Sequence, residues 1–344
     1  MHRQPELAML FFRQPLVITP NHMPLVSLDA IRAAAQRVSF AARRTPVLDL
    51  SEPAGRPLHV KCETMQPGGA FKIRGALNML RRLPPDELRR GVITFSSGNH
   101  GQAVALAAST LGTHAVVVMP TTAPKIKIDG VKRWGADVIL EGTTSPERRA
   151  RAEAEIAARG LVMVPPFDHE WIIEGAGTCG LEILEQVPGV QVVVVPVGGG
   201  GLVSGVAAAI KQSRSDVLVI GVEPAGAAKM TASLAAGRPV TLDHVSSIAD
   251  GLMPVRPGDL TFEHVRAFVD GIVTVSDDEI ANAALWMFYE AKQVVEPSGA
   301  ATVAAVLNAK PRSILADTSK QVVAILSGGN VAPQTLADIG HLVI

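Results

Sequence analysis

Short, wholly apolar runs alternate along this chain with longer segments in which apolar residues recur every three or four positions. The rhythm is clearest from about residue 90 onward. Apolar runs at 92–95, 115–119, 138–140, 161–164, 191–197, 217–222 and 321–326 predict strands. Segments at 102–111, 126–134, 146–159, 177–186, 202–211, 277–292 and 299–307 predict helices. Strands that are apolar on both faces belong in a buried parallel sheet. Strand and helix in alternation predict an α/β fold with doubly wound open sheets. Right-handed crossovers then bring the strand C-terminal ends to one side, where ligands bind.

Two polar, proline-bearing stretches, 81–90 and 165–169, read as seams. They predict a small domain, residues 88–168, inserted into a large domain made of residues 24–87 and 169–344. Residues 1–23 lack the pattern and read as an N-terminal extension outside the core.

Composition removes several function classes. Thirty-two basic and 32 acidic side chains give a net charge of zero, which leaves no electrostatic footprint for a nucleic-acid backbone. Aromatic residues are 4% of the chain, too sparse for base-stacking platforms. No apolar run is long enough to span a bilayer, so no membrane partner is expected. Cys62 and Cys179 are too few for a disulfide framework and suit a reducing, cytoplasmic setting.

Chemistry gathers where predicted strands end in glycine. Gly198, Gly199, Gly200 and Gly201 follow the valine-rich strand and open a helix at Leu202. Without Cβ atoms, successive backbone N–H groups can converge on one anion, helped by the helix N-terminus. The alternative is a tight turn that packs helix against sheet. Neither a P-loop nor the spacing of a dinucleotide site is present. Ser96-Ser97-Gly98-Asn99-His100 also stands at a predicted helix start, suited either to a carboxylate or to simple capping. Lys72 follows Phe71 in a Gly/Ala-rich stretch before a helix. Partly desolvated there, it would be a nucleophilic amine; otherwise it is a surface lysine.

Taken together, residues 69–76 (GAFKIRGA), 96–103 (SSGNHGQA), 198–202 (GGGGL) and 327–330 (SGGN) resemble one family in order and spacing. The chain is similar to the threonine/serine dehydratase and serine racemase branch of the fold-type II pyridoxal-phosphate enzymes, over residues 27–330. The resemblance implies pyridoxal 5'-phosphate in the cleft between the two domains. Lys72 would carry the cofactor as a Schiff base, with Phe71 packed beside the ring. Asn99 would hydrogen-bond the ring's phenolic oxygen, and Ser327 would face the pyridine nitrogen. Gly198 to Gly201 with Leu202 would cradle the phosphate, Gly251 would leave room over the ring face, and Glu296 would support the ring. Ser96, Ser97, Asn99 and His100 would bind the substrate carboxylate. The implied reaction is β-elimination from a hydroxy amino acid such as L-threonine or L-serine, giving a 2-oxo acid and ammonia. A serine or aspartate racemase, with Ser97 as the opposite-face acid, is the alternative, as is a 3-hydroxyaspartate or phenylserine dehydratase. A non-catalytic phosphate-binding α/β protein is the reading from another class. A homodimer or homotetramer is expected, as in relatives, and no regulatory domain is expected after Asn330.

Departures from the family pattern matter too. Thr64, Ala70 and residues 174–178 differ from the usual motif residues, which bears on the substrate side chain. Relatives of the racemase branch bind a divalent cation through positions matching Glu223, Ala227 and Lys229. A lysine there pairs with Glu223 instead, so no metal is expected. Arg148 matches an arginine that contacts a second substrate carboxylate in some relatives. The helix that carries it is so charged, however, that solvated arginines are expected along it.

Overall fold

The structure, a computed structural model, describes residues 24–96, 98–311 and 313–343. The expected N-terminal extension, residues 1–23, and Ser97 therefore lie outside the described residues. Among the described residues, ten strands form two sheets. They are β1 (Val47–Asp49), β2 (Leu58–Cys62), β3 (Val92–Phe95), β4 (Ala115–Met119) and β5 (Asp137–Leu140), followed by β6 (Val162–Met163), β7 (Val192–Pro196), β8 (Leu218–Pro224), β9 (Gly271–Val275) and β10 (Val322–Leu326).

The larger sheet has the order β1-β2-β10-β7-β8-β9 and the smaller one β5-β4-β3-β6. The smaller sheet is parallel throughout. In the larger, β2 and β7 to β10 are parallel and only the edge strand β1 runs antiparallel, a hairpin partner of β2. The parallel strands are as the apolar runs predict, and the antiparallel edge strand β1 is an element the sequence pattern does not announce. A three-residue strand carries too little pattern to be seen in the sequence.

Alternation along each strand assigns side chains to opposite faces. Val192, Val194, Ile220, Val222, Ala324 and Leu326 share one core, whereas Val193, Val195, Val219, Val323 and Ile325 share the core on the other face. The small sheet repeats this, with Val92 and Val117 on one side and Ile93, Val116 and Val118 on the other. Both faces of the central strands β4, β7 and β10 are dry, and this is why they read as unbroken apolar runs.

Helix Glu170–Gln186 begins seven residues before the predicted start. His169 caps it, its Nδ1 accepting from the Trp171 N–H at 3.1 Å. The glycines that obscured it in the sequence are packing sites. A Cβ on Gly175 would strike the Arg74 backbone, and one on Gly177 would lie 2.9 Å from the Gly205 carbonyl. Low helix propensity is thus offset by close approach of neighbouring helices. The predicted helix 277–292 ends earlier, as Asp277–Tyr289, with Lys292 in the left-handed region at φ 54°.

Helix Lys72–Arg82 is anchored from behind by a buried ion cluster. Arg74 Nε and one terminal nitrogen grip both oxygens of Glu63 at 2.7 and 2.8 Å, and its other terminal nitrogen reaches Glu182 at 2.7 Å. The first residue of that helix, Lys72, is thereby held facing the space between the two sheets.

Candidate active site

A cavity of about 1110 Å³ opens where strands of both sheets end. Lys72, Ser96, Asn99, His100, the glycines 198–201 and Ser327 all line it, although they are spread over more than 250 residues of chain. Each arrives on a loop that leaves a strand or opens a helix, as a doubly wound fold requires.

Lys72 is half-buried and opens onto this cavity. Its Nζ donates to the Pro166 carbonyl at 2.7 Å and stands 5.0 Å from the centre of the Phe71 ring. Burial lowers the amine from 10.5 to about 8. About a tenth is therefore uncharged near neutrality, far more than for an ordinary lysine, as a nucleophile or base requires. Phe71 is held by its backbone N–H, which donates to the Ser327 carbonyl at 3.0 Å. This links the lysine loop to the end of β10.

The four glycines form a cradle that side chains would fill. A Cβ on Gly199 would enter the Phe167 ring, and on Gly201 it would lie 3.0 Å from the Phe167 Cβ. On Gly198 it would be 2.9 Å from the Gly251 carbonyl, and Gly200 has φ 102°, where L residues are strained. Helix Gly201–Ser213 starts here. Its first N–H groups have no intrahelical acceptor, and its dipole adds positive potential.

Opposite the lysine, Asn99 Nδ2 donates to Glu296 Oε1 at 2.6 Å, and Asn330 Nδ2 donates to Asn99 Oδ1 at 2.9 Å. Burial and then the charge of Asp250 push the Glu296 carboxyl up from 4.5 to about 8. Glu296 is therefore mainly protonated near neutrality and can donate a hydrogen bond. His100 is buried, with Nε2 3.0 Å from the Val164 carbonyl. Burial and the nearby Lys72 charge lower it to about 3, so it stays neutral and Nε2 carries the proton toward Val164.

Residues 38–328 match the family model described as pyridoxal-phosphate dependent enzyme. The chain belongs to that family. It is 44% identical over 310 residues to an L-threonine ammonia-lyase of Thermotoga maritima, covering 89% of this chain and 76% of the relative. It is 41% identical over 315 residues to a serine racemase of Oryza sativa, covering 90% and 93%. Among solved structures, maize serine racemase superposes with a TM-score of 0.88 at 39% identity, over 92% of this chain and 98% of that one.

For a pyridoxal-phosphate enzyme the residues fit their cofactor. A Cβ-free cradle at a helix N-terminus suits the phosphate, and a desolvated amine in the same cavity suits the aldehyde. Asn99, Ser327 and Glu296 line the same space, and Ser327 is buried.

Other expected positions are modified by the fold. A Cβ on Gly251 would be 2.9 Å from Ser298 Oγ, which itself accepts from the Gly251 N–H, so that glycine also makes room for a serine. Ser96 Oγ accepts from the Gly98 N–H at 3.2 Å, a turn contact within the loop, and Gly98 rather than a serine is the helix cap. Arg148 corrects the expectation of a solvated arginine. It is 8% exposed and lines the cavity. One terminal nitrogen donates to the Thr143 carbonyl and the other to Ser145 Oγ, while the buried Nε has no partner. The charged helix Ser145–Arg159 turns one face inward, and side-chain chemistry does not reveal which. Lys229 Nζ stands 3.3 Å from Glu223 Oε1, the pairing expected. The described residues hold no group of three or more His, Cys, Asp or Glu suited to a metal.

Pro166, Phe167 and Asn330 were missed as site residues. Asn330 closes a glycine motif and was visible. Pro166 contributes only a backbone carbonyl, which no residue pattern announces.

Proposed function

We propose that this enzyme is a hydroxy-amino-acid ammonia-lyase that converts L-threonine or L-serine to the 2-oxo acid and ammonia. The observation that carries the reading is Lys72, its amine lowered to about 8 in the cavity that also holds the four-glycine cradle. Relatives named L-threonine ammonia-lyase support the substrate class.

Bound pyridoxal phosphate supplies an electron sink that acidifies the substrate Cα–H and drains charge from Cα. Gly198 to Gly201 and Leu202 would hold its phosphate, Phe71 would pack beside the ring and Asn99 would hold its phenolic oxygen. Ser327 would offer the pyridine nitrogen a neutral partner, which would disfavour a long-lived charge at Cα and suit prompt loss of the β-hydroxyl. Protonated Glu296 would support the ring through Asn99, and Gly251 would leave its face open. Ser96, Ser97, Asn99 and the backbone N–H of His100 would receive the substrate carboxylate at a helix start. Lys72 would take the Cα proton at Nζ. The β-hydroxyl leaves with a proton as water. The released enamine takes water back and hydrolyses, so the sum is one amino acid to one 2-oxo acid and one ammonia.

Arg148 favours a second substrate. A buried guanidinium with a free Nε at the cavity wall suits a side-chain carboxylate, as in 3-hydroxyaspartate. The deciding experiment is a panel of L-serine, L-threonine, β-phenylserine and both 3-hydroxyaspartate series, scored for 2-oxo acid and for chirality. Release of 2-oxo acid from L-threonine or L-serine is expected. D-serine formed faster than pyruvate would overturn the lyase in favour of a racemase.

The two sheets support a division into a large domain, 24–87 with 169–344, and a small one, 88–168. Exposed Phe288, Tyr289 and Val294 support a homo-oligomer. Two buried free thiols support a cytoplasmic setting.

A further inference from the structure

Lys229 is wholly buried at the start of helix Lys229–Ala236. An ammonium has three N–H donors, and here all three are used. Nζ donates to the carbonyls of Val197 at 2.9 Å, Ala227 at 3.1 Å and Leu252 at 2.8 Å. Glu223 balances the charge, yet its carboxylate has its own donors. The Met230 N–H reaches one oxygen, and the Thr231 N–H and hydroxyl reach the other, at 2.8–2.9 Å. Removing the ammonium would therefore strand three carbonyls and leave Glu223 hydrogen-bonded.

The carbonyls come from revealing places. Val197 directly precedes the cradle glycine Gly198, and Leu252 directly follows Gly251. Those two loops touch, since a Cβ on Gly198 would meet the Gly251 carbonyl at 2.9 Å. Gly198, Gly251 and Leu252 all line the cavity, whereas Lys229 lies behind it. A charged donor in a dry interior holds its acceptors more tightly than a neutral one would.

We propose that Lys229 is a positioning residue, an internal cation that clamps the phosphate cradle to the Gly251 loop and so sets cofactor affinity. Its ammonium occupies an oxygen-lined niche of three carbonyls and one carboxylate. Shortening the side chain opens that niche to a free monovalent cation of the same charge, for which hard oxygen ligands are suited. The inference rests on the cofactor being pyridoxal phosphate and is independent of which amino acid is the substrate.

The test titrates apoprotein with pyridoxal phosphate and follows fluorescence, alongside thermal unfolding. Wild type, Lys229→Met and Lys229→Ala are compared in potassium chloride and in tetramethylammonium chloride of equal ionic strength. Wild type is expected to bind equally in both salts. Lys229→Met is expected to bind about tenfold more weakly or worse in either salt. Lys229→Ala is expected to be as weak in tetramethylammonium chloride and to recover in potassium chloride. Folding of the alanine variant only in potassium chloride also supports the clamp. Wild-type affinity in Lys229→Met, an alanine variant indifferent to the salt, or unfolding of both variants in both salts overturns it. Failure of the wild type itself to take up pyridoxal phosphate would instead overturn the cofactor reading.

Discussion

Asn99 and Glu296, 197 residues apart, meet across the cavity in a 2.6 Å hydrogen bond from the amide to the carboxyl. The contact joins the first residue of a helix on the small sheet to the cap of a helix on the large one. It is made in a place so dry that the carboxyl is raised to about 8. Glu296 is thus a hydrogen-bond donor at neutrality as well as an acceptor.

That shift has a signature in stability. In the unfolded chain Glu296 releases its proton near 4.5, whereas the folded state keeps it up to about 8. Across that window the folded state holds one more proton, so this group makes stability fall as pH rises, with no further change above it. The difference in thermal midpoint between wild-type apoprotein and Glu296→Gln should therefore move in favour of the variant from pH 4.5 to about 8. A difference that is flat with pH would show an ordinary, ionised carboxylate.

Lys72 makes a kinetic prediction. Only its neutral form attacks the cofactor aldehyde. The rate at which apoprotein gains visible absorbance with pyridoxal phosphate should rise as pH passes through about 8 and then level. Lys72→Ala should gain no such absorbance, fix nothing on borohydride reduction, and lose about 10³-fold or more in turnover.

The cradle can be broken by one methyl group. Gly199→Ala drives a Cβ into the Phe167 ring, and such overpacking costs about 1–3 kcal/mol. Weaker cofactor binding and a lower thermal midpoint are expected. Adding Phe167→Ala should return part of both, because the obstructing ring is gone. No recovery in the double variant would locate the damage elsewhere.

The role proposed for Arg148 is testable through selectivity. Arg148→Gln should lower the ratio of kcat/KM for 3-hydroxyaspartate over that for L-threonine by about 10- to 100-fold, the worth of a charge-assisted hydrogen bond. An unchanged ratio would mean that Arg148 only braces Thr143 and Ser145.

The valine runs of β7 and β10, the glycines that follow them, and Lys72 beside Phe71 were all legible in the chain itself. Each is a local pattern. A strand dry on both faces must be apolar throughout, and a backbone that must approach an anion must shed its Cβ atoms. Those constraints write themselves into consecutive residues, so the α/β class and a candidate anion loop followed from the pattern, and the resemblance carried by four motifs in order supplied the cofactor. What tertiary structure alone decided were relations between distant positions. The inward turn of Arg148, the start of helix Glu170–Gln186 under packing glycines, and the Asn330–Asn99–Glu296 chain leave no local trace. The same holds for the three carbonyls around Lys229. A backbone carbonyl looks the same in every residue, and burial of a charge depends on which elements close over it. These are properties of the packed fold and not of any segment.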